Sequence, residues 1–176
     1  MRLLVFEFVV EFERIIALDT ALQWMCQMGE GVAYLHEQGL IHRDITPKNV
    51  LIREDGTVFL GDLGMALDRN ARVEPERYAA NIAPLHVSSK QHLNPNEATE
   101  LDDIFSLGQT FFFMLTRQLP VGGYSDIRSH HRDCPEDLSE LVNAMRHPDE
   151  RHRPKSAVDV MQHCRALLKR RNLQVA

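Results

Sequence analysis

His42-Arg43-Asp44-Ile45-Thr46-Pro47-Lys48-Asn49, followed thirteen positions after Asn49 by Asp62-Leu63-Gly64, decides how the rest of the chain is read. It sets one acid, Asp44, in a loop, an amide, Asn49, five positions on, and a second acid, Asp62, beyond a predicted hairpin. Val50-Leu51-Ile52 is a brief apolar strand, Asp55-Gly56 is turn chemistry that favours a hairpin, and Thr57–Leu60 reads as the returning strand. The two acids therefore stand at opposite mouths of one ribbon, which brings Asn49 and Asp62 close in space. That arrangement suits magnesium-nucleotide chemistry, in which one acid takes a hydroxyl proton while an amide and a carboxylate hold the metal. Only 41 residues precede His42, and they contain no glycine-rich phosphate loop and no lysine.

Working outward, residues 3–9 read as a short, largely buried strand. Leu18, Leu22, Met25, Val32 and Leu35 recur at helical spacing between Asp19, a predicted N-cap, and Gly39, a predicted C-cap. This helix delivers the chain to Leu40-Ile41-His42. From Met65 to Lys90 the sequence is polar and irregular, broken by Pro75 and Pro84, a length that marks a functional or mobile loop. Asp103–Thr116 is apolar on nearly every side and is predicted to be a central, buried helix closed by Leu119-Pro120. Two further helices are predicted over Glu136–Met145 and Ser156–Lys169, the second capped by Ser156, with a charged turn at His147–Pro154 between them. The basic run Lys169-Arg170-Arg171 reads as the solvated last turn of that helix, where cations favour the dipole.

At 176 residues the chain is long enough for one domain with a core, and 44% apolar with 26% charged residues is a globular rather than a disordered composition. A net charge of −5 gives no reason to expect nucleic-acid binding. The apolar start Leu3-Leu4-Val5-Phe6 is broken by Glu7, too short for a signal peptide or a membrane span. Cys26, Cys134 and Cys164 are an odd, widely spaced set that fits a reducing, cytoplasmic compartment. His131-Arg132-Asp133 repeats the loop tripeptide, but position 138 is leucine, so the copy reads as a solvated loop. His130-His131 with Cys134 lacks a second ligand pair at zinc spacing, because His163 and Cys164 are adjacent on a helix and point apart. Phe111-Phe112-Phe113, Trp24 and Cys26 read as packing residues.

Together these residues resemble the C-terminal lobe of a eukaryotic-type protein kinase, nearly end to end. His42-Arg43-Asp44 with Asn49 is similar to the catalytic loop, Asp62-Leu63-Gly64 to the metal-binding triplet, Asp103-Ile104-Phe105-Ser106-Leu107-Gly108 to the central-helix motif, and Arg153-Pro154 to the closing motif. Phe6-Glu7-Phe8-Val9 resembles the hinge strand, with Phe6 as gatekeeper. The resemblance implies a mostly α (α+β) fold: a hinge-strand remnant over 1–13, a kinase C-terminal lobe with a small β-hairpin over 14–170 and a tail over 171–176, the amino-terminal lobe being absent. It implies ATP and Mg²⁺ as cofactors and a protein substrate. Asp44 would accept the proton of the attacking hydroxyl, Asn49 and Asp62 would hold Mg²⁺, and Lys48 would neutralise developing phosphate charge. Leu51 would lie beneath the adenine, the backbone of Glu7 and Val9 would bond its edge, and Glu13 would reach the ribose. His42 would pack and hydrogen-bond, and Arg43 would anchor the loop or meet an acid.

The sequence also departs from the family pattern. The strand lysine, its glutamate partner and the glycine-rich lid belong upstream of Leu3, so activity of the chain alone is expected to be weak. Thr46 stands where serine/threonine kinases usually carry their loop lysine. Tyr78 is the only hydroxyl-bearing residue between Met65 and Val87, and Ala83 replaces the threonine that helps fix the catalytic acid. Ser88-Ser89-Lys90 replaces Ala-Pro-Glu, so Lys90 and Arg153 are expected to face one another as two cations. The spacing of Ser88, His92-Leu93 and Asp102-Asp103 is similar to the casein kinase branch, from which Arg153 departs. Three readings stay open: a protein kinase lobe, a kinase-like binding module without catalysis, and a small-molecule phosphotransferase of the aminoglycoside- or choline-kinase kind. For the first two, the surface where an amino-terminal lobe would sit needs that lobe or a partner to cover it.

Overall fold

Gly39 adopts φ 75°, a left-handed turn that a side chain would strain, and it links the end of the first long helix to the short strand that leads into the functional loop. The computed structural model describes residues 3–4, 16–69, 86–118, 126–132 and 134–175, with backbone only at 3–4 and 172–175. The elements are β1 (Leu3–Leu4), α1 (Leu18–Glu37), β2 (Leu40–Ile41), β3 (Val50–Ile52), β4 (Val58–Leu60), β5 (Leu67–Asp68), α2 (Ser89–Leu93), α3 (Glu100–Thr116), α4 (Glu136–Met145) and α5 (Ala157–Val175). The architecture is mostly helical, with a three-stranded antiparallel sheet ordered β1-β3-β4 and a two-stranded one, β2-β5. No helix among the described residues is long and apolar enough to cross a membrane.

The hairpin forms as the turn residues predict. Val50 pairs with Leu60, Leu51 with Phe59 and Ile52 with Val58. Gly56 takes φ 84° and donates its N–H to Arg53 O at 2.9 Å, and the Asp55 carboxylate accepts from Thr57 N–H at 2.9 Å. Helix α1 then fixes the ribbon: Trp24 Nε1 donates to Gly56 O at 2.9 Å and Gln27 Oε1 accepts from Val58 N–H at 2.8 Å. Trp24 is therefore both a packing residue, as expected, and a tether for the turn.

Helix α3 is central. Phe111, Phe112, Phe113 and Leu107 are buried, and α1, α4 and the hairpin contribute Leu22, Met25, Val50, Leu138 and Val142 to the same core. Its Gly108 is required by close approach: a Cβ there would stand 2.7 Å from Met145 Cβ and 3.0 Å from Arg146 Cγ on the α4 side. The helix begins three residues earlier than predicted, because Asp102 accepts the Thr99 N–H at 2.8 Å and so caps the first turn from Thr99.

Several expectations are corrected. Asp19 is not the N-cap of α1, which starts from Ala17; its carboxylate instead accepts from Arg171 Nε at 2.5 Å. The basic run is not a last turn, since α5 continues to Val175, and Arg170 pairs with Asp137 of α4 at 3.0 Å. Ser156 does cap α5, accepting from Asp159 N–H at 3.1 Å. Within the predicted 65–90 loop, Leu67–Asp68 forms a strand against Leu40–Ile41, and Ser88 caps α2 by accepting from Gln91 N–H at 3.0 Å. Residues 5–15, 70–85 and 119–120, with the predicted hinge strand beyond Leu4, Tyr78, Ala83 and the Leu119-Pro120 stop, lie outside the described residues.

Candidate active site

The loop after β2 carries two buried backbone N–H groups that need acceptors, and one side chain supplies both. Asp103, fully buried in the first turn of α3, accepts from His42 N–H at 2.8 Å and from Arg43 N–H at 2.9 Å. It also accepts from His36 Nε2 at 2.9 Å, so α1, the loop and α3 meet on one carboxylate. The His42 ring has its tautomer set by geometry: Nδ1 accepts from Asp44 N–H at 3.3 Å and Nε2 donates to Gly61 O at 3.1 Å. His42 thus packs and hydrogen-bonds, as expected, and ties the loop to the segment leaving the hairpin.

Arg43 anchors the loop. Its Nε donates to Met65 O at 2.6 Å and a terminal nitrogen donates to Pro95 O at 3.1 Å. Three non-glycine residues among those described have positive φ, and two of them, Arg43 at 66° and Asp62 at 59°, lie in this site. Such backbone is costly and persists where surrounding contacts over-determine it, as they do around Arg43.

Asp44, Asn49 and Asp62 are brought together. Asn49 Nδ2 donates to Asp44 O at 2.9 Å and to Asp44 Oδ2 at 2.7 Å, locking the acid and the amide into one unit. Across the hairpin mouth Gly61 N–H donates to Asn49 O at 2.7 Å, which places Asp62 one residue beyond Asn49's partner. Burial pushes the Asp44 carboxyl above its ordinary range; the Asn49 hydrogen bond offsets part of this, and the charge of Asp62 adds to it. Lys48, next to Asn49, is exposed and lies within electrostatic reach of His86.

The donor set fits a hard cation. With Nδ2 committed to Asp44, the Asn49 atom left to face a metal is an oxygen. Asp62 uses Oδ1 to accept from Gly64 N–H at 3.1 Å and presents a second carboxylate oxygen from an exposed position. One amide and one carboxylate oxygen suit magnesium, which keeps most of its shell for water and phosphate. Leu51 points away from the face that buries Val50 and Ile52, and a cleft of about 190 Å³ is lined, among the described residues, by Leu51, Ile52, Arg53 and Phe59. Phe6, Glu7, Val9 and Glu13, and with them the predicted gatekeeper, adenine-edge and ribose contacts, lie outside the described residues.

The other side of the loop corrects one expectation. Lys90 and Arg153 do not face each other as unpaired cations. Lys90 pairs with Glu150 at 2.9 Å, and Arg153, buried, stands 3.6 Å from Asp102 and donates to Leu101 O at 2.8 Å. Sequence reasoning missed Asp102, Asp103, Gln91 and His86 as site residues. The signal for the acids was present: two carboxylates opening an apolar helix are buried only when partnered. His86 is also buried, its Nε2 without a hydrogen-bond partner, and nothing in the sequence marks it.

Comparison with known proteins gives the same answer as the geometry. The family model for the protein kinase domain matches residues 3–171. A "Probable serine/threonine-protein kinase PknB" of Lactococcus lactis is 29% identical over 73% of this chain and 20% of its own length. A "Wee1-like protein kinase" of Oryza sativa is 32% identical over 81% of this chain and 28% of its own. A probable protein kinase of Dictyostelium discoideum is 31% identical over 74% of this chain and 38% of its own. The chain thus spans well under half the length of these curated relatives. Matched across 3–171 and carrying the loop, hairpin and central-helix motifs in order, the chain belongs to the protein kinase family.

Proposed function

We propose that this chain is the catalytic lobe, over residues 14–170 with a hinge-strand remnant at 1–13, of a kinase that transfers the γ-phosphate of ATP to a serine or threonine hydroxyl of a protein. The observation that carries the reading is the paired donation from Asn49 to the Asp44 carbonyl and carboxylate, at 2.9 and 2.7 Å, beside Asp62. Asp44 takes the proton of the attacking hydroxyl, a role that its raised carboxyl pKa favours. Asn49 and Asp62 would hold Mg²⁺, and Lys48 would neutralise developing phosphate charge. When bound, Mg²⁺ supplies charge neutralisation on the phosphate oxygens. Leu51 would support the adenine from the cleft beside β3, and the backbone of Glu7 and Val9 would bond its edge. Three buried, free thiols support a cytoplasmic setting.

A second reading, a kinase-like binding module, is favoured by one observation: Phe59 and Leu63 are 41% and 50% exposed on the side of the hairpin and the metal triplet. An amino-terminal lobe or a separate partner covers this surface in either reading. The experiment compares this chain with the same chain extended by whatever its reading frame encodes before Met1, using Mg-ATP and three acceptor classes: serine/threonine peptides, an aminoglycoside and choline. The proposal expects a melting temperature raised by Mg-ATP, slow transfer by the short chain, and faster transfer by the extended one to peptides. Transfer to the small molecules alone replaces it with the small-molecule phosphotransferase reading. No Mg-ATP stabilisation and no transfer leaves the binding module.

A further inference from the structure

Helix α3 opens with two neighbouring carboxylates that serve different parts of the site. Asp103 holds the catalytic loop through His42 and Arg43. Asp102, fully buried, accepts from the Ser88 hydroxyl at 2.5 Å and stands 3.6 Å from the Arg153 guanidinium. Ser88 Oγ in turn accepts from Gln91 N–H at 3.0 Å, and Gln91 Nε2 donates to Arg43 O at 2.7 Å. A continuous path of hydrogen bonds therefore runs from Asp102 through Ser88 and Gln91 back to the catalytic loop.

We propose that Asp102 is a positioning residue that seats the 86–91 segment against the catalytic loop and so sets the acceptor side of the site. This rests on the phosphotransfer reading. At position 90, where the family pattern has an acid, this chain has a lysine turned to Glu150, and Asp102 supplies the anion that Arg153 needs. A buried ion pair is a poor source of stability, since well-packed apolar groups do as well; what it contributes is direction. Adjacent positions on a helix project about 100° apart, so one turn of α3 aims Asp103 at the loop and Asp102 at the segment after the long loop. The two halves of the site are thereby registered from a single rigid point, which matters because a displacement of about 1 Å in a reacting group lowers rate by about 100-fold.

The test uses the full-length protein with Mg-ATP, an arrayed set of serine, threonine and tyrosine peptides, and five forms: wild type, Ser88→Ala, Ser88→Thr, Asp102→Asn and the Ser88→Ala/Asp102→Asn double variant. Ser88→Ala removes the hydroxyl while Asp102 keeps Thr99 and Arg153, which protects the fold. It is expected to raise KM for the preferred peptides about fivefold or more with KM for Mg-ATP unchanged, and Ser88→Thr is expected to restore it. Asp102→Asn should do at least as much, and adding it to Ser88→Ala should change the peptide KM little further. Amide exchange should quicken over 88–94 in both variants and stay slow at 42–44. An unchanged peptide KM, an equal rise in the ATP KM, no rescue by threonine, or unaltered exchange over 88–94 overturns the proposal while leaving the kinase reading intact. A wild-type protein that phosphorylates no peptide removes the kinase reading, and this proposal with it.

Discussion

Replacing Asp103 tests whether one carboxylate holds the functional loop in place. In Asp103→Ala, the buried His42 and Arg43 N–H groups lose acceptors at 2.8 and 2.9 Å, and His36 Nε2 loses one at 2.9 Å. Each buried donor left unmet costs about 1–3 kcal/mol, so after partial relaxation the loss should be about 3–5 kcal/mol. That is a large share of the roughly 5–15 kcal/mol by which a domain is stable. Asp103→Asn keeps the shape and one acceptor oxygen but turns an NH₂ toward a donor, so it should cost less, about 1–3 kcal/mol. Urea unfolding followed by far-UV circular dichroism reads both, with an unchanged m-value confirming that the same transition is compared. Relieved of its anchor, Arg43 should also leave its left-handed φ of 66°, visible as faster amide exchange at 42–44. A cost below about 1 kcal/mol for the alanine variant, with slow exchange retained, would refute this reasoning.

Two further outcomes follow from packing and charge. Gly108→Ala puts a Cβ 2.7 Å from Met145 Cβ, so α3 and α4 must separate, and a loss of about 1–3 kcal/mol in the same unfolding assay is expected; a neutral or stabilising result contradicts the close approach. Burial, and secondarily the charge of Lys48, lower the His86 pKa from 6.5 to about 4. The unfolded chain therefore binds the proton more readily, and stability present above pH 6.5 is lost as pH falls toward 4. Between pH 7.5 and 4.5 the wild type should lose about 2–3 kcal/mol more than His86→Gln, and parallel curves contradict the burial of a neutral imidazole.

The elements most legible in the sequence were those whose signal is local. Asp55-Gly56 between two apolar triplets specifies the hairpin, the Phe111-Phe112-Phe113 run specifies a buried helix, and the Glu136–Met145 prediction has the observed bounds of α4. The β2-β5 pair was missed because two-residue strands carry no alternation to read. The end of α5 was misplaced because Arg170 and Arg171 resemble a solvated terminus, whereas Asp137 and Asp19, distant in sequence, hold them mid-helix. The same limit applies at the site. Asp44, Asn49 and Asp62 sit in a recognisable spacing, but Asp102 meets Arg153 and Ser88 only through space, which no local pattern encodes.

The most direct test is phosphate transfer from Mg-ATP to a peptide by the full-length protein, measured beside its Asp44→Asn and Asp62→Asn variants. Neither substitution removes a core contact, since Asp62 is exposed and Asp44 is half-buried, so both proteins should melt near the wild-type temperature. Loss of the proton acceptor or of the metal carboxylate should each lower turnover by about 100-fold or more. Turnover unchanged in either variant would contradict the roles assigned to these side chains.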